Sequence, residues 1–161
     1  MIGVFCVFEW SSVMRCRMAA YWHGNLFLIG DFMLELCVVL FVLLNLFVIL
    51  FQVALAFGAP WGEFTLGGKW RGRLPPRVRV IPIISAILIS VFVAIVLARV
   101  GMAFTEFSVA SRRWIWLVVA YCLLGMVANA ATPSRLERRL WFPIVSLMFV
   151  LSLTIALNAP N

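Results

Sequence analysis

Acidic side chains are scarce in this chain: six Asp and Glu among 161 residues, against 13 Lys and Arg. Charged residues of both signs reach only 12%, too few to clothe a water-soluble domain of this length. His23 is the sole histidine, so one chain cannot offer paired imidazoles to haem or zinc. The four cysteines, Cys6, Cys16, Cys37 and Cys122, form no CxxC pair, and the last two lie inside apolar runs. That spacing predicts neither a structural metal nor a redox centre, and no cofactor is expected. No carboxylate falls deep in an apolar run. Glu35 heads the first run, about one turn after Asp31, whereas a proton-driven pump ordinarily wants an acid near mid-membrane.

What fills the chain instead is hydrocarbon. Hydrophobic residues make up 65%, and the mean hydropathy is +1.11. Four uncharged apolar runs, residues 36–59, 80–98, 114–131 and 140–157, are each near the ~20 helical residues that a bilayer crossing takes. Nothing alternates with the period of a barrel strand, and helices alone satisfy every backbone group within one apolar segment. The expected fold is all-α: one membrane-spanning bundle of four transmembrane helices within residues 31–161.

Local signals mark the ends of these spans. Gly58 and Pro60 end the first. Pro75-Pro76 precede the second, and Pro82 suits its first turn. Arg112-Arg113 with Trp114 and Trp116 anchor the third at an interface. Ser134-Arg-Leu-Glu137 has capping-box spacing, which predicts a helical lead-in with Arg135, Arg138 and Arg139 on one face and a kink at Pro143. Residues 1–30 are broken by Glu9, Arg15, Arg17 and His23, and their apolar stretch precedes the basic residues, the wrong order for a signal peptide. Two readings of this extension are open: an interfacial segment, or an over-extended start with Met18 or Met33 as initiator.

The net charge of +7 lies in loops beside the spans, where Lys and Arg fix orientation and meet anionic headgroups; nucleic acid is not an expected partner. Eight basic residues fall on the side of the 60–79 and 132–139 loops: Lys69, Arg71, Arg73, Arg77, Arg79, Arg135, Arg138 and Arg139. Five fall on the other: Arg15, Arg17, Arg99, Arg112 and Arg113. The positive-inside rule makes the first side cytoplasmic.

Residues 57–80, FGAPWGEFTLGGKWRGRLPPRVRV, gather half of the ten glycines into one loop. Its Gly58, Pro60, Trp61, Gly62 and Glu63, with the eight basic residues above, form a candidate surface for lipid headgroups or a partner. A nucleotide phosphate loop is excluded because Gly67-Gly68-Lys69 is followed by Trp70, with no hydroxyl for magnesium. Glu63 alone, without His, Cys or a second acid, is no catalytic set. Within the spans, Asn45, Gln52, Ser85, Asn129 and Ser146 are a candidate polar cluster. Gln52, Ser85, Asn129 and Ser146 are placed in one half of the bilayer beneath the loop, either pairing for assembly or flooring a small cavity. Ala86, Ser90, Ala94 and Ala98, four residues apart, make a stripe that predicts close helix packing.

The run FQVALAFGAPWGEFTLGGKWRGRLPPRVRV, followed by ATPSRLERRLWFPI, resembles a group of small bacterial four-helix membrane proteins. That group is marked by a GAPWG motif, a Gly-Gly pair, an LPxRxR exit and an SRxER lead-in. The likeness covers about residues 40–157 and implies a four-helix architecture and a bacterial inner membrane; it implies no activity and no catalytic residues. The expected protein is a non-enzymatic accessory that meets anionic lipid, a second copy or another membrane protein. A small oligomeric transporter or channel is the alternative.

Overall fold

The computed structural model describes residues 3–159 along the backbone and the side chains from residue 30 onward. Four long helices follow one another: α1 Gly3–Ala56, α2 Val80–Arg99, α3 Ser108–Ala131 and α4 Arg135–Asn158. The chain is an all-α four-helix bundle, and all four helices are long and apolar enough to cross a membrane. Internal contacts divide the chain into residues 1–36 and 37–161, and the bundle core and the sites below belong to the second unit. In the first unit the backbone is helical from Gly3 on. The two readings of the N-terminal extension turn on side chains outside the described residues.

The distribution of apolar side chains is what a bilayer demands. Leu50, Ile87 and Leu124 are 60%, 62% and 69% exposed, while Asn45 is 1% exposed. Water would penalise so broad an apolar surface, and lipid does not. Along α1 the buried positions Val38, Phe41, Asn45, Val48 and Leu55 recur every three, four or seven residues, one inward seam. α3 packs most extensively against α4 and next against α2. Ile89, Phe92 and Val96 of α2, Ile115 and Val118 of α3, and Met148, Leu151 and Ile155 of α4 complete the core.

The start of α3 differs from the sequence expectation: the helix begins at Ser108, so Arg112 and Arg113 lie inside its first turns rather than ahead of it. α4 has the expected helical lead-in behind Ser134, continuous with the span, and Pro143 in its interior withholds one N–H from the ladder.

Within the bundle the small-residue stripe on α2 is only partly covered. Ser90 is exposed and donates to the Ala86 carbonyl at 2.8 Å, Ala86 and Ala94 are half-buried, and Ala98 alone is buried. Larger side chains, Pro82, Ile89, Phe92 and Val96, occupy the inward face, where each buries more apolar area than an alanine can.

Candidate functional site

The loop at residues 57–79 is a folded piece rather than a tether. α1 ends on Gly58, whose φ of +95° sets a left-handed cap: its N–H bonds the Leu55 carbonyl at 3.0 Å, and that of Ala59 bonds Ala54 at 2.9 Å. The Arg79 guanidinium lies 3.0 Å from where a Cβ on residue 58 would stand, and its Nε donates to the Leu74 carbonyl at 3.0 Å. A cation is thereby held against the negative end of α1. The neck of the loop closes between Gly62 and Gly72, N–H to carbonyl at 2.8 Å. Gly62 is required by this approach, since a Cβ there would lie 2.5 Å from the Trp70 carbonyl oxygen. Short 3-10 turns at Gly62–Phe64, Leu66–Gly68 and Pro76–Arg79 fill the remainder, and Leu74 is buried beneath them.

Three polar ties fasten this loop and the α3–α4 link to the start of α4. Trp141 Nε1 donates to the Phe64 carbonyl at 2.7 Å, Ser134 Oγ to the Glu63 carbonyl at 3.2 Å, and Arg138 Nη2 to the Thr132 carbonyl at 2.9 Å. Ser134 also caps α4 by accepting from the Glu137 N–H at 3.2 Å. The indole of Trp141 meets Phe51 edge-on at 4.7 Å, and Phe51 stacks on Trp61 at 5.8 Å, so α1, the loop and α4 share one aromatic cluster.

This construction places both basic loops at the same end of the bundle. Of the eight basic residues expected there, Arg79 and Arg138 are committed to carbonyls; Lys69, Arg71, Arg73, Arg77, Arg135 and Arg139 are exposed. Lys69 Nζ also lies 5.4 Å from the Trp70 ring centroid. Trp61 and Pro60 are exposed beside them, Gly58 and Gly62 are buried, and Glu63 is half-buried with its carbonyl taken by Ser134.

The polar cluster of the spans is only partly assembled. Asn45 donates to Phe41, Asn129 to Gly125 and Ser146 to Phe142, each a carbonyl four residues back on its own helix. In an apolar surrounding, this local bond is the nearest partner a short polar side chain can find. Among the described residues no hydrogen bond joins Asn45, Gln52, Ser85, Asn129 and Ser146 to one another, so the expected hydrogen-bonded layer is not formed. Two of the five do converge. Gln52 and Asn129 line a cavity of about 180 Å³ beneath the loop, together with Thr65, Tyr121, Glu137 and Trp141. Its wall is polar toward the loop end and apolar toward Val48, Ile89 and Met148. Asn45, Ser85 and Ser146 lie outside it.

Glu137 is a residue that sequence reasoning left out of the site. Its N–H completes the Ser134 cap that the capping-box spacing predicts, while its Oε2 accepts from the Thr132 hydroxyl at 2.9 Å and its side chain borders the cavity. The signal that could have found it is composition: Glu137 is the one acid in the α4 lead-in. Among the described residues no three of His, Cys, Asp and Glu come together as a metal set. The class defined by these features is a four-helix bundle suited to a membrane, with one folded basic end. In comparison with known proteins, the chain matches no family model, no curated protein and no solved structure.

Proposed function

We propose that this protein is a non-enzymatic, multi-pass accessory of a bacterial inner membrane, whose basic end faces the cytoplasm and holds anionic lipid headgroups. One observation carries the reading: six exposed cations not committed to a carbonyl, on a folded loop and helix start, beside the exposed Trp61. Headgroup phosphates favour guanidinium donors, which grip two oxygens at once, and indole rings settle at the same depth. The loop is held by backbone and aromatic ties that do not use these cations, so their guanidinium and ammonium groups stay available to lipid. The resemblance of the GAPWG, LPxRxR and SRxER motifs to those of small bacterial four-helix membrane proteins supports the inner-membrane assignment. Positive charge on the loop side supports the cytoplasmic orientation.

The test is lipid retention. Native mass spectrometry of protein released from nanodiscs should find phosphatidylglycerol kept in preference to phosphatidylcholine. The combined R71Q, R73Q and R77Q variant should lose most of that preference. Equal preference in the variant overturns the reading.

A second reading, a small oligomeric transporter, is favoured by the cavity reaching from Glu137 to Met148, roughly 16 Å along α4 by helical rise. It requires a water path beside Gln52. A cysteine placed at Gln52 that stays fully protected from aqueous thiol reagents removes it.

A further inference from the structure

The cavity under the loop has a chemistry of its own. Its mouth is rich in acceptors. One Glu137 oxygen takes the Thr132 hydroxyl, and among the described residues no donor reaches the other. Asn129 gives one amide N–H to Gly125 and keeps its carbonyl oxygen as an acceptor beside a second N–H. Gln52 and Thr65 add side chains that make no hydrogen bond among the described residues. The aromatic residues Trp141 and Tyr121 also line it. A carboxylate, three neutral oxygens and two aromatic rings around one small space suit a compact, donor-rich cation. An anionic ligand would meet Glu137, and a bare hydrocarbon would strand the polar wall.

We propose that this cavity binds a primary ammonium carried next to a phosphate, the chemistry of a phosphoethanolamine head. The ammonium offers three N–H donors to Glu137, Asn129 and Gln52. A quaternary ammonium offers none. The adjoining phosphate answers the opposite charge of the same end, where the exposed cations outnumber Glu63 and Glu137 and would repel an unaccompanied cation from solution. The phosphate half rests on the headgroup reading above; the ammonium half rests on the cavity alone. Two sources carry this chemistry, an aminophospholipid in the bilayer and free phosphoethanolamine in water. The lower wall, lined by Val48, Ile89 and Met148, is compatible with the apolar part of the lipid.

The experiment uses the full chain in nanodiscs of phosphatidylglycerol mixed with either phosphatidylethanolamine or phosphatidylcholine. Lipids retained after release are identified by native mass spectrometry. The wild-type chain should keep phosphatidylethanolamine over phosphatidylcholine by tenfold or more, and Glu137→Gln should abolish that preference. The amide oxygen can still accept from Thr132, so the substitution removes charge while sparing the link; an unchanged melting temperature confirms this. Gln52→Ala, on a different helix, should reduce the same preference and keeps the test open should Glu137→Gln fail to fold. If free phosphoethanolamine raises the melting temperature of wild type but not of Glu137→Gln, and lipid retention shows no ethanolamine preference, the ligand is the soluble molecule. Absence of both effects in wild type overturns the proposal, as does an undiminished preference in folded Glu137→Gln. Phosphatidylglycerol retention in the same samples reports separately on the arginines, so the two readings fail independently.

Discussion

The two connections at opposite ends of the bundle do the same topological work with very different material. Residues 100–107 turn α2 into α3 with one short 3-10 turn, a left-handed Phe104 at φ 52°, and exposed Met102, Phe104 and Phe107. Their neighbour Arg99 is buried and donates to the Ala159 carbonyl at 2.7 Å. Residues 57–79 also join two successive helices, yet they are far longer, close on themselves at Gly62 and Gly72, and are tied to α4 by Trp141 and Ser134. A hairpin between two spans needs only a few residues. The extra length of the first connection is folded structure, and the chain concentrates its folded detail and most of its exposed cations at that end.

The contrast can be broken first at Gly62. Gly62→Ala forces a methyl against the Trp70 carbonyl and should cost about 2–3 kcal/mol, read as a lowered melting temperature in detergent. At the other end, Gly101→Ala meets no atom within 4 Å and suffers only its positive φ, so about 1 kcal/mol is expected. Equal losses would show that the long loop is no more tightly built than the short one. Trp141→Phe keeps a ring against Phe51 but leaves the Phe64 carbonyl without its donor. About 1–2 kcal/mol should be lost, together with faster protease cleavage between residues 60 and 75. Ser134→Ala removes the α4 cap and the link to Glu63 and should cost about 1 kcal/mol. The smallest stability effect belongs to the combined R71Q, R73Q and R77Q variant, within about 0.5 kcal/mol, because exposed charges contribute little to folding. The paired R112Q and R113Q change at the opposite end should leave phosphatidylglycerol retention unaltered. If both sets lower it alike, the basic end has no privileged role.

Much of this architecture is legible from hydropathy alone. The four apolar runs, the stop at Gly58 and the capping serine at Ser134 each obey rules that act within a few residues, and the structure follows them. What escaped were relations between distant segments. Capping-box spacing places Glu137 near its own backbone but cannot show that Thr132 will claim its carboxylate. The stripe Ala86, Ser90, Ala94 and Ala98 has the spacing of a packing face, yet competition among faces is decided by area, and Ile89 and Phe92 win. Gln52 and Asn129 of the expected polar cluster line the cavity together. Depth does not give rotation, and so Ser85 and Ser146 were grouped with them although neither lines the cavity. The ties of Trp141 to Phe64 and of Ser134 to Glu63 span 77 and 71 positions, beyond any local pattern.

Those two separations set an order of events during synthesis. The loop emerges early, but both of its downstream anchors arrive only with the start of the final span, so this first connection cannot settle until the chain has been made through Trp141. A nascent polypeptide halted ahead of Ser134 should carry an unlatched, protease-sensitive tip. Resistance should appear abruptly once Trp141 has been added.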